Sequence, residues 1–248
     1  MTPPVPTPRP DWAYFFDIDG TLVDLGDDPG GVRLDRELRA LIEALHVAAG
    51  GAVALISGRA IPDIDALMEG VRLPAAGQHG NERRDAAGQI THHAVPTAQL
   101  DWAYDQLVAA AADRRGLVLQ HKGLSVAVHY RTAPRLGGYV HRLVRSLLPK
   151  LDGQYCVQEG KRILELKPAG KDKGAAVQEF MAEAPFRGRT AVFVGDDLTD
   201  EYGFATVNRL KGHSIKVGPG RTAARFRLRN VAAVRAWLQQ GVAGGAIK

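Results

Sequence analysis

Apolar runs that stop abruptly mark both ends of the chain. Residues 12–16 are entirely apolar or aromatic, and residues 52–56 are entirely apolar. Residues 190–194 follow the same pattern after the initial threonine. A run without alternating polar residues is typical of a strand that is covered on both faces, as in a parallel sheet. Over residues 34–45 leucine and isoleucine recur at helical spacing, until a glycine pair ends the pattern. Further helices are expected at residues 61–69, 175–182 and 231–239, and a further strand is expected at residues 214–217. The two ends of the chain therefore predict an α/β fold with an open, parallel sheet.

The middle of the chain has a different pattern. Two helices are expected at residues 100–115 and 138–148, and each is followed by two short strand-like segments. These segments are residues 117–120, 125–131, 155–158 and 163–166. Apolar and polar residues alternate in the first two of these segments, which is typical of a sheet with one face free of helices.

The change of pattern predicts a domain insertion. The αββαββ segment is expected to form an α+β domain over residues 82–166. The core is then built from residues 1–81 and 167–248. Within it, the proline-rich residues 1–10 are expected to be a flexible leader.

Charge limits the classes of partner. With 32 Lys and Arg against 27 Asp and Glu, the formal net charge is +5, and the pI is about 9.4. The basic residues are dispersed, so nucleic-acid binding is not expected, whereas a small anionic substrate suits the modest positive excess. No apolar run reaches the roughly 18 residues of a membrane-spanning helix, so membrane association is not expected. The oligomeric state is left open, with a monomer as the working expectation.

The single cysteine, Cys156, limits the chemistry and the compartment. It cannot form an internal disulfide or a cysteine-based zinc site. Sparse cysteine usage is typical of a reducing compartment, so the cytoplasm is expected.

Asp17 and Asp19 follow the first buried run directly. In open α/β sheets, ligands bind at the carboxyl ends of the strands, and Gly20 allows the chain to turn sharply at this point. Two neighbouring carboxylates in a buried place are costly unless a cation or a proton stabilises them. The pair therefore indicates a site with bound cations or proton transfer.

A second acidic group follows the run at residues 190–194. The sequence GDDLTDE at residues 195–201 brings Asp196, Asp197 and Asp200 close together. Oxygen ligands of this kind favour Mg²⁺. Thr199 is expected to cap a short helix that begins with acidic residues, since negative charge suits a helix N-terminus.

Two further features have phosphate-binding chemistry. Ser57, Gly58 and Arg59 follow the run at residues 52–56, where a hydroxyl and an exposed amide can bind phosphoryl oxygens. Lys173 precedes a predicted helix and supplies a cation that can stabilise a transferring phosphoryl group. Each feature taken alone is equally typical of a turn or of a solvated helix start.

Together and in this order, the four motifs resemble those of the haloacid dehalogenase superfamily of phosphohydrolases, over the whole chain. The resemblance implies a Rossmann-like core with an inserted cap domain of the C2 type. It also implies that Asp17 is the nucleophile, that Asp19 is the general acid and base, and that Ser57 and Lys173 bind the phosphoryl group. An aspartyl-phosphate then forms and is hydrolysed in a second step.

The same resemblance implies a magnesium site. Mg²⁺ would be held by Asp17, by Asp196 and by the backbone carbonyl of Asp19. Asp197 and Asp200 would support this site.

Separated stretches of the middle segment resemble the trehalose-6-phosphate phosphatase family. The stretches are residues 77–82 (GQHGNE), 122–125 (KGLS), 129–131 (HYR), 159–161 (EGK) and 165–174 (ELKPAGKDKG). The resemblance implies Mg²⁺-dependent hydrolysis of a disaccharide phosphate. The substrate-binding residues expected from it are Ser57, Gly58, Arg59, His79, Glu82, Lys122, Ser125, Arg131, Glu159, Lys161 and Glu165. A different sugar-phosphate phosphatase, a phosphosugar mutase and a non-catalytic sugar-phosphate sensor remain as alternatives.

Overall fold

The computed structural model describes residues 3–24, 34–93 and 97–245. The strands are β1 (Trp12–Phe16), β2 (Val53–Ile56), β3 (Ala75–Gly77), β4 (Glu82–Arg84), β5 (Ile90–His92), β6 (Val118–His121), β7 (Val126–His129), β8 (Tyr155–Gly160), β9 (Ile163–Pro168), β10 (Thr190–Gly195), β11 (His213–Val217) and β12 (Phe226–Leu228). The helices are α1 (Arg36–Ala48), α2 (Ile61–Leu67), α3 (Ala98–Ala111), α4 (Gly137–Leu147), α5 (Lys173–Met181), α6 (Asp200–Arg209) and α7 (Val231–Gly245). Within these ranges, no helix has both the length and the apolar character that crossing a bilayer requires.

The chain divides into two compact units. Unit 1 comprises Met1–Thr91 and Asp172–Lys248, and unit 2 comprises His92–Lys171. The predicted arrangement, an α/β unit built from both ends of the chain and interrupted by an α+β unit, corresponds to this division.

Unit 1 is built on one sheet with the strand order β12-β11-β10-β1-β2-β3-β4-β5. The strands from β12 to β3 pair in parallel, which confirms the predicted parallel sheet. All five side chains of β1 are buried. Phe15 stacks on Phe186 with 5.5 Å between the ring centroids, and burial of one such side chain contributes about 1.5–3 kcal/mol. This packing fixes the place at which the chain leaves β1.

Strand β4, next to the edge strand β5, lies in unit 1, whereas the predicted insertion begins at residue 82. Glu82 pairs with Gly77 of β3 in antiparallel register, so residues 82–91 belong to unit 1 and not to the insertion. The sequence Glu-Arg-Arg of β4 has no apolar run, and for this reason the pattern did not predict a strand there. At the other end, unit 2 extends to Lys171 and not to residue 166, because β9 continues to Pro168.

Residues 5–9 are held against the rest of unit 1, whereas the composition predicts a flexible leader. The carbonyl of Pro6 accepts a hydrogen bond from Nε1 of Trp237 on α7 at 2.8 Å. The hydroxyl of Tyr14 donates to the carbonyl of Arg9 at 2.7 Å and accepts from its amide at 2.8 Å. Pro8 is buried. Proline-rich composition indicated the absence of regular structure correctly, but it carries no information about these long-range contacts.

Unit 2 has the predicted order α3-β6-β7-α4-β8-β9. Its antiparallel sheet has the strand order β6-β7-β9-β8. Val126, Val128, Leu164 and Leu166 lie on one face and share an apolar cluster with buried residues of α3 and α4. Because side chains alternate along a strand, Glu165 and its neighbours lie on the opposite face. We call this second face the polar face of unit 2.

Candidate active site

Three strand ends of unit 1 bring the predicted motifs to one edge of the sheet. Asp17 follows β1, Ser57 follows β2, and Asp196 follows β10. These strands are neighbours and run in parallel, so their carboxyl ends meet. The amide of Asp17 donates to the carbonyl of Val194 at 3.0 Å, which ties two of these ends together.

The Lys173 ammonium lies between two carboxylates. Helix α5 starts at this residue because the side chain of Asp172 accepts the amide of Ala175 at 2.8 Å and caps the helix. Lys173 Nζ donates to Oδ1 of Asp17 and to Oδ1 of Asp200, each at 2.7 Å. All three charged side chains are at least 94% buried. A buried charge is stable only when it is paired and hydrogen-bonded, and here each is.

Burial and neighbouring charge set the protonation of this group. Burial, followed by repulsion from Asp200, raises the pKa of Asp17 well above its ordinary value, and Lys173 opposes this shift. For Lys173, burial lowers the pKa, but attraction to Asp17 and Asp200 outweighs burial and places it above the ordinary value. The lysine therefore stays protonated, and an additional cation beside Asp17 would favour the carboxylate form.

The carboxylate of Asp200 also organises the loop between β10 and α6. Its Oδ2 accepts the amides of Asp196 and Asp197, each at 2.8 Å. A Cβ at Gly195 would lie 2.3 Å from Cγ of Asp200, so only glycine allows this approach. Thr199 occupies the N-cap position but its side chain makes no capping hydrogen bond, which corrects the predicted role of that hydroxyl.

Three carboxylates at this edge form a candidate cation site, because clustered oxygen donors suit a divalent cation. One oxygen each of Asp17, Asp196 and Asp200 lie within 4.8 Å of one another, and all three residues are buried. Gly20 has a φ of +85°, and a Cβ there would lie 2.3 Å from Oδ2 of Asp196. The missing side chain of Gly20 thus leaves room for the Asp196 carboxylate. Clustered hard oxygen ligands fit Mg²⁺. Asp197 was predicted to support the site, but its carboxylate is not part of this cluster among the described residues.

Asp19 and Arg59 form a bidentate ion pair beside the cluster. Nε and Nη2 of Arg59 donate to the two carboxylate oxygens of Asp19, each at 2.7 Å. The Asp19 side chain is 29% exposed. Burial lowers the pKa of Arg59, but the hydrogen bonds and the charge of Asp19 raise this pKa by a larger amount, so the net shift is upward. The candidate acid–base residue is thus the most accessible carboxylate of the group Asp17, Asp19, Asp196 and Asp200.

The loop after β2 packs against the 3₁₀ turn at Gln78–Gly80. The hydroxyl of Ser57 accepts the amide of Arg59 at 3.1 Å, and the Ser57 carbonyl accepts the amide of His79 at 3.0 Å. A Cβ at Gly58 would lie 2.8 Å from the His79 ring. Gln78 and His79 adopt φ values of +46° and +58°, a backbone conformation that residues other than glycine rarely adopt. Such strain is typical of functional sites.

Glu82 has a structural role in this arrangement, although the sequence placed it among the substrate-binding residues. Its Oε1 accepts the amide of Ile61 at 2.7 Å and Nε2 of Gln78 at 3.3 Å. Ile61 begins α2, and the N-cap residue Ala60 makes no side-chain capping bond. Glu82 therefore supplies the missing helix cap from β4.

The polar face of unit 2 carries a buried hydrogen-bonded group. Glu165 accepts the hydroxyl of Ser125 at 2.6 Å and the ammonium of Lys122 at 3.2 Å. His129 lies on the same face and interacts electrostatically with Lys122 and Glu165; burial, followed by repulsion from Lys122, lowers its pKa to about 4. The predicted residues Lys122, Ser125 and Glu165 are thus brought together.

The remaining predicted residues of unit 2 are placed differently. Glu159 pairs with Leu164 in the sheet, so it lies on the face that packs against the helices. Its carboxylate pairs with Arg145 of α4 at 2.5 Å in a helix–sheet contact, whereas the prediction placed it in the binding surface. Lys161 lies exposed in the turn between β8 and β9, and Arg131 follows β7.

Sequence reasoning missed two residues that contact the site. Thr21 donates from its hydroxyl to Oδ2 of Asp17 at 3.3 Å. Lys216 is buried on β11 and donates to the backbone carbonyl of Asp196. A lysine inside the apolar stretch of residues 214–217 was the available indication, because a buried ammonium always needs partners.

Comparison with known proteins matches most of the chain to one family. The sequence model of the family described as trehalose-phosphatase matches residues 15–231. The trehalose-6-phosphate phosphatase of Escherichia coli (strain K12) is 43% identical over 228 residues, which cover 92% of this chain and 85% of the relative.

Solved structures share the fold. The C-terminal domain of Candida albicans trehalose-6-phosphate phosphatase matches with a TM-score of 0.84 at 20% identity, covering 96% of this chain and 93% of that chain. A phosphatase of the haloalkanoate (HAD) superfamily from Bacteroides thetaiotaomicron matches with a TM-score of 0.61 at 12% identity, covering 93% and 95%. These two matches confirm the expected α/β fold with an inserted α+β segment. The matched length and the identity to the bacterial relative together show that the chain belongs to the trehalose-phosphatase family.

Proposed function

We propose that this protein is a phosphoric monoester hydrolase that converts trehalose 6-phosphate into trehalose and phosphate. The observation that carries the proposal is the buried group of Asp17, Lys173 and Asp200 beside Asp196, in a chain of the trehalose-phosphatase family. This group combines a fixed nucleophile with a fixed cation. Phosphoryl transfer needs both, since positioning and charge stabilisation supply most of the rate.

Asp17 and Asp19 divide the reaction into two steps. A carboxylate oxygen of Asp17 attacks phosphorus, the bond from phosphorus to the sugar oxygen breaks, and Asp19 donates a proton to the leaving alkoxide. Asp19 then accepts a proton from water, which attacks the aspartyl-phosphate and regenerates Asp17. For this role the contact of Asp19 with Arg59 has to release at least one carboxylate oxygen, which also makes the guanidinium available to the phosphate.

Lys173 and a divalent cation complete the charge balance. We assign Mg²⁺ to Asp17 and Asp196, with the backbone carbonyl of Asp19 as a further ligand and Asp200 close by. When bound, the cation offsets the repulsion between the Asp17 carboxylate and the phosphate dianion. Lys173 already touches Asp17, and together with the hydroxyl of Ser57 it binds the phosphoryl oxygens.

The polar face of unit 2 recognises the sugar in this proposal. Glu165, Lys122 and Ser125 offer acceptors and donors on a rigid sheet, as a polyhydroxylated ligand requires. Lys161 and Arg131 are further candidates from the loops at the strand ends. Glu159 and Glu82 are not included, because their carboxylates stabilise a helix–sheet contact and a helix start.

The substrate is a small molecule, and we place the reaction in the cytoplasm. The single Cys156 fits a reducing compartment. A monomer remains the working expectation.

The first experiment measures phosphate release with Mg²⁺ and with EDTA. The panel contains trehalose 6-phosphate, glucose 6-phosphate, sucrose 6-phosphate, mannose 6-phosphate and p-nitrophenyl phosphate. We expect Mg²⁺-dependent release with a preference for trehalose 6-phosphate. A different preference would retain the chemistry and refute the substrate, whereas a folded, metal-loaded protein that releases no phosphate would favour a sensor or a mutase.

Asp17→Asn tests the nucleophile. The exchange keeps the size of the side chain and removes the attacking charge, so turnover should fall by about a thousandfold or more with the circular dichroism spectrum unchanged. Asp24→Asn is the matched control, because Asp24 is exposed and lies in the same unit. Normal turnover of Asp17→Asn would remove this residue as the nucleophile.

Glu165→Gln and Glu159→Gln form a matched pair for sugar recognition. Both exchanges remove one negative charge from the sheet of unit 2, but the two residues lie on opposite faces. Glu165→Gln should lower kcat/KM for trehalose 6-phosphate by about tenfold to a hundredfold and leave p-nitrophenyl phosphate nearly unaffected. Glu159→Gln should change neither. Equal losses for both substrates, or equal effects of the two variants, would overturn the assignment of the polar face.

A further inference from the structure

Lys216 is a buried cation next to the candidate active site that none of the steps above uses. It lies on β11 and pairs in the sheet with Gly195, the last residue of β10. The residue is only 5% exposed. Burial of an ammonium costs several kcal/mol unless hydrogen bonds compensate it, so an apolar residue would fill this interior position at lower cost.

The hydrogen bonds of Lys216 reach the backbone of a candidate metal ligand. Its Nζ donates to the carbonyl oxygen of Asp196 and, at 2.8 Å, to that of Val217. The amide of the same Asp196 donates to Oδ2 of Asp200 at 2.8 Å. Both backbone polar groups of Asp196 are therefore held by charged side chains, one from β11 and one from α6. Neither peptide group that flanks this residue can rotate without breaking a charge-assisted hydrogen bond.

This double restraint matters because of where the Asp196 side chain lies. Its carboxylate meets those of Asp17 and Asp200 in the acidic cluster, in the space left by Gly20. Ligands of a divalent cation bind well when groups outside the coordination shell hold them in place. Since the loop between β10 and α6 leaves the sheet at Asp196, a fixed backbone there sets the direction of the carboxylate.

We propose that Lys216 is a positioning residue that holds Asp196 in the orientation needed to bind the divalent cation. The inference rests on the proposed function, because that function assigns the cation to Asp17 and Asp196. Lys216 acts through the Asp196 backbone and does not touch the reacting atoms. Its effect should therefore appear in cation affinity and much less in turnover at saturating cation.

The test uses the full chain and the metal alone. Mg²⁺ binding is measured by isothermal titration calorimetry on wild type, Lys216→Met, Lys216→Gln and Lys216→Arg. Lys150→Met is the matched control, because Lys150 is exposed and lies in unit 2. We expect Lys216→Met and Lys216→Gln to weaken Mg²⁺ binding by about tenfold. Lys216→Arg should recover part of the affinity, and Lys150→Met should bind as wild type does.

The direction of the change separates positioning from simple charge. Loss of a positive charge near the site would by itself tighten the binding of a cation, so weaker binding requires a loss of geometry. In a parallel assay, the Mg²⁺ concentration for half-maximal phosphate release should rise by about the same factor, with kcat at saturating Mg²⁺ changed by less than about threefold.

The outcomes that overturn the proposal differ from those that overturn the function. A folded Lys216→Met with unchanged or tighter Mg²⁺ binding overturns the positioning role. If neither Lys216→Met nor Lys216→Gln folds, Lys216 is a structural residue and the proposal is also overturned. If wild type neither binds Mg²⁺ nor releases phosphate, the proposed function itself fails, whatever the variants do.

Discussion

Removal of the Asp200 carboxylate gives the sharpest test of the electrostatic account of this site. The side chain is fully buried and accepts three hydrogen bonds, one from Lys173 at 2.7 Å and two from the amides of Asp196 and Asp197 at 2.8 Å. In Asp200→Ala, the lysine keeps only Asp17 as a charged partner, and two amides lose their acceptor. Breaking a buried ion pair from one side costs about 3–5 kcal/mol.

Two effects bring the expected value to the lower part of that range. The like charge of Asp200 raises the pKa of Asp17, so its removal relieves repulsion. The Lys173–Asp17 contact also remains. We therefore expect Asp200→Ala to lower the free energy of unfolding of unit 1 by about 3 kcal/mol, which is a factor of more than a hundred in the folding equilibrium. Asp200→Asn should lose about 1.5–3 kcal/mol, because its carbonyl oxygen still accepts the amides but its charge is gone.

The assay is urea unfolding in EDTA at about pH 7, followed by tryptophan fluorescence. Trp12 and Trp237 lie in unit 1 and Trp102 lies in unit 2, so a Trp102→Phe background reports on unit 1 alone. Asp197→Ala in this background is the control and should change the unfolding free energy by no more than about 0.5 kcal/mol. A loss below about 1 kcal/mol for Asp200→Ala, with an unchanged m-value, would refute the reasoning.

Two other predictions concern backbone space and pH. Gly20→Ala should lower the melting temperature and raise the Mg²⁺ requirement for phosphate release, because the new Cβ meets the Asp196 carboxylate at 2.3 Å and φ is +85°; an unchanged Mg²⁺ titration would contradict this. His129 has a pKa lowered to about 4 by burial and by Lys122. At about pH 8 its ring is neutral whether the protein is folded or not, but as the pH falls through about 6.5 towards 4 the unfolded chain takes up the proton first. The unfolding free energy of unit 2, followed by Trp102 fluorescence, should therefore fall more steeply over this range in wild type than in His129→Gln; parallel curves would refute the shift.

The strand ends show how far residue patterns lead in this protein. Apolar runs ending at Asp17, Ser57 and Asp196 predicted both the parallel sheet and the edge at which the chemistry lies, and the structure places all three there. This worked because a strand buried on both faces needs an uninterrupted apolar run, and because parallel strands present their carboxyl ends together.

The corrections have a common physical cause. The charged strand β4, the helix cap from Glu82 and the inward face of Glu159 all depend on partners distant in sequence. The same residue type, in the same kind of segment, can bind a ligand, cap a helix or pair with an arginine. Composition cannot separate them, because the difference lies in what the folded chain brings next to each one.

The sequence by itself determined the two-part α/β and α+β organisation, the edge of the sheet with the acidic motifs, and the family. Only the tertiary structure decided that Lys173 joins Asp17 to Asp200, and that Asp200, not Asp197, shares the acidic cluster. It alone revealed Lys216 behind Asp196. Periodicity reports which face of an element is buried, since burial of apolar surface acts over the whole element. Hydrogen bonds and salt bridges need their partner atoms within about 3–4 Å of each other, so they form only when the chain has folded.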